Sequence, residues 1–135
     1  MQEFSSTLNT IESAMQAQTR RLQIISENIA NNNSTAIKAG EDPYRRKIIF
    51  FNSVYDRKTK SNIVKTRVSR DNSSFKIKYD PGHPSSINGY VSYANVDLII
   101  ENADMLESKL AYDANVSILS QTLSMLHKTL QLLEK

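Results

Sequence analysis

Apolar residues recur at heptad spacing near the start of the chain. They follow steps of three, four or seven residues, and Gln18 occupies the one position of the row that would otherwise be apolar. A repeat of about 3.5 residues is typical of a helix that pairs with other helices along a narrow stripe. The pattern predicts a helix over about residues 3–30 that ends in Asn31-Asn32-Asn33-Ser34, because these residues favour turns. The row consists of Phe4, Leu8, Ile11, Met15, Leu22, Ile25 and Ile29.

The C-terminal part of the chain carries a second helical pattern. Asn95 predicts an N-cap, and Asp97, Glu101 and Asp104 predict a solvated acidic face near the positive end of the helix dipole. Two apolar runs follow with a phase shift near residues 112–116, so we expect a helix that touches more than one neighbour or is locally bent. The runs are Val96, Ile99, Ala103, Leu106 and Leu110, then Val116, Leu119, Leu123, Leu126, Leu130 and Leu133.

The middle of the chain favours strands. Residues 45–51, 63–68 and 75–79 are rich in β-branched and aromatic side chains and are separated by polar turn residues. They predict two or three antiparallel strands. Within 75–79, aromatic and aliphatic residues alternate with Lys76 and Lys78, which predicts that Phe75, Ile77 and Tyr79 enter the core. Residues 85–94 are expected to form an extended connector.

These patterns predict an α+β protein. Long N- and C-terminal helices form a coiled-coil pair, and a small antiparallel β-region is inserted between them. The expected organisation is an N-terminal coiled-coil helix over 1–32, a β-rich middle region with connectors over 33–94, and a C-terminal coiled-coil helix over 95–135.

Composition leaves two interpretations of the helical stripes. Only 39% of the 135 residues are hydrophobic, so two narrow stripes bury little area in one monomer. One interpretation is a plain antiparallel helix hairpin, and the other is that the stripes are assembly surfaces. A net charge of +9 lies over residues 44–79, from eleven Lys and Arg against two Asp. This charge favours a solubilising strand face, with nucleic-acid binding as the alternative.

The chain offers little material for catalysis. The absence of Cys excludes a disulfide framework, a Cys-based zinc site and a thiol nucleophile. His83 and His127 are far apart, and neither has a second ligand at metal spacing. Three glycines cannot supply a phosphate-binding loop. We therefore predict no enzyme activity, no cofactor, no metal and no small-molecule substrate. We also expect neither a cleaved signal peptide nor a membrane span.

Several short motifs in fixed order resemble flagellar rod and hook proteins, and among them a component of the proximal rod. The first is the sequence Ser-Glu-Asn-Ile-Ala-Asn at the end of the first helix. The chain departs from the family's usual Pro, Arg and Lys at Ala94, Leu110 and Leu123. The residues that carry the resemblance are Asn28, Asn31, Tyr44, Arg45, Asp80, Pro81, Gly82, His83, Pro84, Gly89, Tyr90, Asn95, Asp97, Tyr112 and Asn115.

The resemblance implies a structural subunit of the bacterial flagellar basal body. Such a subunit polymerises through its terminal helices into the periplasmic rod, which transmits torque and surrounds the export channel. The implied partners are copies of itself, other rod proteins, the membrane-ring base, a rod-base adapter and, in transit, the type III export apparatus. The alternative is a small basic adapter that binds nucleic acid through the β-region. The expected assembly interface comprises Leu8, Ile11, Met15, Leu22, Ile25, Ile29, Val96, Ile99, Leu106, Leu110, Val116, Leu119, Leu123, Leu126 and Leu130.

Overall fold

A computed structural model describes residues 1–134 and confirms the α+β class. Two long helices occupy the two ends of the chain, and the strands lie between them. None of the described helices combines the length and the apolar character that crossing a membrane requires. In chain order the elements are α1 (Gln2–Ala30), β1 (Lys47–Asp56), β2 (Ser61–Arg70), β3 (Lys76–Tyr79), β4 (Tyr90–Tyr93) and α2 (Leu98–Leu133).

The chain forms two compact units, and each unit draws on the N-terminal, middle and C-terminal parts of the sequence. The first unit contains Met1–Leu22, Phe51–Arg67 and the chain from Leu106 onward. The second unit contains Gln23–Phe50 and Val68–Met105. Both helices and the β1–β2 hairpin therefore contribute residues to both units.

In the first unit, α1 packs against the outer part of the β1–β2 hairpin. Ile11 and Ala17 of α1 are the buried apolar side chains of this unit. Ser13 Oγ accepts a hydrogen bond of 3.0 Å from the amide of Val64, and Ser6 Oγ donates one of 3.1 Å to the carbonyl of Lys60. Small hydroxyl side chains on α1 thus satisfy backbone groups of β2 and of the turn that precedes it.

In the second unit, the buried apolar side chains come from the end of α1 and from the β4–α2 segment. Ile24 and Ile25 lie on α1, and Val91, Ala94 and Val96 follow one another closely in the later segment. The β3–β4 pair is antiparallel, with Lys76 opposite Tyr93 and Tyr79 opposite Tyr90 in the register. This small sheet and the end of α1 provide the frame for the polar residues described below.

The β3–β4 sheet corrects two expectations. The strand β4 lies in a segment that was expected to be an extended connector. Ile77 and Tyr79 are exposed rather than in the core, because this small sheet covers neither face of β3, whose four residues are all exposed. Tyr79 contacts the ring of Tyr90 edge-on at 5.3 Å, and Phe75 is half-buried beneath the guanidinium of Arg45, 4.3 Å from its ring centroid.

Gly89 is required by both its conformation and its surroundings. It lies in the turn between Ile87 and Tyr90, with a φ of +85°, and an added Cβ would lie 2.7 Å from Cε2 of Tyr79. We expect Gly89→Ala to lower the free energy of unfolding by about 1–3 kcal/mol, because the left-handed conformation and the clash both oppose a side chain. Gly82→Ala is the control, because its Cβ would find ordinary space. Equal urea midpoints for the two variants would contradict this expectation.

The N-terminus of α2 differs from the predicted cap. The helix begins at Leu98, and Asp97 Oδ1 accepts a hydrogen bond of 2.9 Å from the amide of Ile99. The prediction that Asn95 caps this helix was wrong, because its side chain binds the β-region instead. Asp97, one of the expected acidic residues, performs the capping role.

Candidate assembly surface and polar cluster

The most deeply buried side chains of α2 are polar. Its fully covered side chains among the described residues are Glu101, Ser108 and Thr122. Half-buried residues continue this face at heptad spacing: Met105, Tyr112, Asn115, Leu119 and Leu126. The helix therefore turns toward the rest of the chain a face whose buried positions are polar and alternate with half-buried, mostly apolar positions.

The first apolar run of α2 lies on another face, whereas Leu119 and Leu126 of the second run belong to the buried face. Ile99 is 81% exposed, and Leu106 and Leu110 are 61% and 62% exposed. We call these three residues the outward stripe. A second row with a spacing of seven residues, Val116, Leu123 and Leu130, lies beside the buried face and remains exposed. The phase shift in the sequence therefore reflects two surfaces of one uninterrupted helix, and no bend is needed to explain it.

The remaining residues of the expected interface pack within the chain. Ile11, Ile25 and Val96 are buried. The others are half-buried: Leu8, Met15, Leu22, Ile29, Leu119 and Leu126. The structure thus separates the predicted set into residues that support the fold and residues that present apolar surface to the outside.

A cluster of polar side chains joins four segments of the second unit. It brings together the end of α1, the start of β1, the segment after β2 and the start of α2. We call it the polar cluster. Its members are Asn28, Tyr44, Arg46, Asp71, Asn95, Glu101 and Asp104.

Asn28 is buried and uses its whole amide group. Its Nδ2 donates to the carbonyl of Lys47 at 2.9 Å and to Glu101 Oε2 at 3.2 Å. Its Oδ1 accepts from the amide of Lys47 at 2.9 Å and from the Tyr44 hydroxyl at 2.8 Å. One side chain at the end of α1 therefore satisfies both backbone groups of a residue in β1.

Asn95 binds Arg46, the residue directly before β1, from the other side. Its Oδ1 accepts a hydrogen bond of 2.7 Å from the amide of Arg46. Its Nδ2 donates to the carbonyls of Asp71 and Ser73, each at 3.1 Å. Two asparagines thus fix consecutive backbone positions at the start of β1.

The charged centre of the cluster is Arg46. Its Nε donates to Glu101 Oε1, and its two terminal nitrogens lie 3.5 Å from Asp71 Oδ2 and 3.4 Å from Asp104 Oδ2. Glu101 is completely buried, so the expectation that it lies on a solvated acidic face was wrong. A carboxylate without access to water requires such a partner, since an unpaired buried charge is very costly.

The environment shifts the protonation equilibria of Arg46 and Tyr44. Burial alone would lower the pKa of Arg46, but the hydrogen bond and the charge of Glu101 raise it above its ordinary value. The pKa of Tyr44 is raised by burial and then by the charges of Glu27 and Glu101. Both groups therefore keep the protons that they donate within the cluster.

Asp71 makes the cluster sensitive to acid. The backbone amide of Ser73 and the guanidinium of Arg46 lower the pKa of this carboxyl. The resulting stability is present above the unfolded value of about 3.9 and is lost as the pH falls through the folded value. We expect Asp71→Asn to flatten the decline of the melting temperature below about pH 4. An unchanged acid profile, matching the exposed control Asp113→Asn, would contradict this.

The two histidines lie outside the cluster. His83 Nδ1 accepts hydrogen bonds from the amide of Ser85 at 3.1 Å and from its hydroxyl at 2.8 Å, which stabilises the turn after β3. His127 is exposed on α2, where its Nε2 lies 3.1 Å from Gln131. Among residues 1–134, no three acidic or histidine side chains are grouped in a way that could hold a metal ion.

Much of the basic charge of the middle region is used within the chain. Arg46 binds the carboxylates described above, Lys47 pairs with Glu27 at 2.7 Å, and Lys76 donates to Asn32 at 3.1 Å. Arg45 and Lys78 lie over aromatic rings. At least these five cations have partners inside the fold, which reduces the charge available for a phosphate backbone.

Sequence reasoning missed the centre of the cluster. The sequence pattern places Arg46 only in a basic strand and Asp71 only in a polar turn. One signal was present for Glu101. It lies on the heptad row that continues through Ser108 and Asn115, and this row is separate from both apolar runs.

Known proteins resemble this chain along almost its whole length. A family model described as "Flagella basal body rod protein" matches residues 8–36, and one described as "Flagellar basal body rod FlgEFG protein C-terminal" matches residues 87–132. The flagellar basal-body rod protein FlgC of Agrobacterium fabrum is 40% identical over 99% of this chain and 98% of its own length.

Two more distant relatives carry the same name. FlgC of Borreliella burgdorferi is 33% identical over 96% of this chain and 97% of its own length. FlgC of Bacillus subtilis is 35% identical over 93% of this chain and 95% of its own length. Identity at this level over nearly complete chains supports a rod subunit, and it gives no support to the nucleic-acid alternative. The chain therefore belongs to the family of the flagellar basal-body rod protein FlgC, whose members are structural subunits of the rod.

Proposed function

We propose that this chain polymerises into the proximal part of the flagellar rod through its terminal helices. The carrying observation is the outward stripe of α2, where Leu106 and Leu110 leave most of their apolar surface in water. Exposed side chains of this kind at helical spacing are suited to packing against helices of neighbouring subunits. A rod requires contacts in which one surface meets a different surface on the next subunit.

The partners and the location follow from this role. The neighbours are further copies of the chain and other rod proteins, with the membrane-ring base and a rod-base adapter at one end. The subunit reaches the periplasm through the flagellar type III export apparatus without cleavage of a signal peptide. The assembled rod transmits torque and surrounds the export channel. The chain performs no catalysis and needs no cofactor.

Two departures from the family pattern support the choice of surface. The family usually has Arg at the position of Leu110 and Lys near the position of Leu123. Here both positions are leucine, and both side chains are exposed. The helix thus presents a more apolar surface than the family pattern implies, which strengthens helix packing at the expense of solubility.

Localisation tests the proposal directly. A tagged chain is expressed in a flagellated bacterium that lacks its own FlgC, and basal bodies are isolated from the cells. We expect restored swimming and the tag in the rod fraction. A chain that stays in the soluble fraction, or that is retained by DNA or RNA in a salt-sensitive manner, would refute the proposal and return the basic adapter to consideration.

A further inference from the structure

No fully buried apolar side chain fixes the register of α2 among the described residues. Every fully buried side chain of α2 among the described residues is polar. Within the first unit, Gln18 Oε1 on α1 and Ser108 Oγ on α2 are buried and have no hydrogen-bond partner among the described residues. The ion pair of Arg21 with Glu107 spans 3.4 Å, and the carboxylate is largely exposed, so it contributes little.

Heptad spacing makes this lack of fully buried apolar side chains important, because the half-buried residues Met105, Tyr112, Leu119 and Leu126 also recur every seven residues. A helix whose buried face repeats every seven residues can slide along its partner and present a similar face again. Ser108, Asn115 and Thr122 are close in size and polarity, so they distinguish poorly between one register and the next. The information that selects a single register must come from another part of α2.

Glu101 provides that information. It is the one fully buried charge on α2 among the described residues, and it is bound by Asn28 of α1 and by Arg46, which directly precedes β1. Movement of α2 by one heptad would withdraw this carboxylate from both partners and leave Arg46 and Asn28 without it. A buried polar group at a single position is the best-attested device for fixing the register of paired helices.

We infer that the polar cluster, through Arg46 and Glu101, is the register lock of α2 and thereby sets the direction in which the outward stripe faces. The effect of this lock on rod incorporation rests on the proposed function, whereas its effect on register does not. Arg46 and Glu101 act as positioning residues, because they contact no partner themselves and hold in place the helix that does.

The cysteine-free chain allows the register to be measured. Arg21→Cys with Glu107→Cys reports the native register through a short bis-maleimide cross-linker, and Arg21→Cys with Ala114→Cys reports a shift of one heptad, about 10 Å along the helix. We expect the native pair to react in the parent background. Lys47→Met is the matched control. It removes the half-exposed ion pair between Lys47 and Glu27, next to Arg46 in the chain, and leaves the cluster side chains in place.

Two cluster variants separate register from stability. Arg46→Met combined with Glu101→Leu replaces the ion pair by apolar side chains, which often preserves or raises stability. We expect this variant to unfold at the parental temperature but to lose the native cross-link and rod incorporation. Arg46→Lys keeps the charge but loses the planar fork that reaches three carboxylates, and we expect it to shift cross-linking toward the Ala114→Cys pair.

The outcomes are distinct for the two proposals. If either cluster variant keeps the native cross-link at the parental level, the cluster is not a register lock, whatever happens to the rod. If the variants lose the native cross-link but the parent chain is absent from basal bodies, the lock stands and the proposed function fails. A double variant that retains both the cross-link and rod incorporation would show that the pair is an ordinary buried salt bridge.

Discussion

Leu106→Gln combined with Leu110→Gln is expected to abolish incorporation of the chain into the rod without unfolding the subunit. Both side chains are more than half exposed, and glutamine is a good helix former, so the helix itself is preserved. Burying two such leucines in a subunit contact contributes about 2–4 kcal/mol, which corresponds to roughly 30- to 900-fold in affinity. The loss recurs at every contact of the polymer.

The measurement combines isolated basal bodies with circular dichroism of the purified chain. Lys109→Gln is the control, since it changes an exposed neighbour on the same helix and leaves both leucines in place. Leu22 and Leu126 make poorer probes, because both are half-buried within the chain and their truncation would weaken the fold as well. Normal rods built from the double glutamine variant would mean that the outward stripe is not an assembly surface.

Asn28→Ala is expected to lower the free energy of unfolding by about 3–5 kcal/mol. The change leaves the backbone groups of Lys47 and the hydroxyl of Tyr44 without their partners, and each buried polar group left unpaired costs about 1–3 kcal/mol. Domains of this size are stable by only about 5–15 kcal/mol. The change should therefore be visible as a large drop in the midpoint of urea unfolding.

Two further variants interpret that measurement. Asn33→Ala alters an exposed asparagine of the same turn region and is expected to change the midpoint very little. Asn28→Asp keeps the acceptor but removes both donors and places a second carboxylate beside Glu101, so it should be at least as harmful as alanine. A loss below about 1 kcal/mol for Asn28→Ala would mean that water replaces the amide readily.

The helices were predictable because their signals are local. The heptad row of α1 predicted a helix over about residues 3–30, and the helix spans Gln2–Ala30. The apolar runs of α2 likewise marked a helix that ends near the C-terminus. The strand β4 escaped prediction because its four residues pair with β3 across a turn, and short strands draw most of their stability from such non-local partners.

The polar cluster could not be predicted in the same way. Periodicity identifies which residues share a face of a helix, but it does not say which face turns inward. For α2 the face that turns inward has polar residues at its most deeply buried positions, because Glu101 binds Arg46 at a separation of 55 residues along the chain. Asn28 was recognisable as part of a motif, yet its partners on β1 and α2 could only be identified from the fold.

The way each unit draws on distant parts of the sequence has a consequence for folding kinetics. Both units include residues from α1, from the middle region and from α2. Neither unit can complete its packing before α2 has been synthesised, because contacts between distant residues form only when both partners are present. Asn28 and Arg46 are synthesised long before Glu101, so folding is completed late, and a nascent chain in that interval remains open enough to be threaded through a narrow passage.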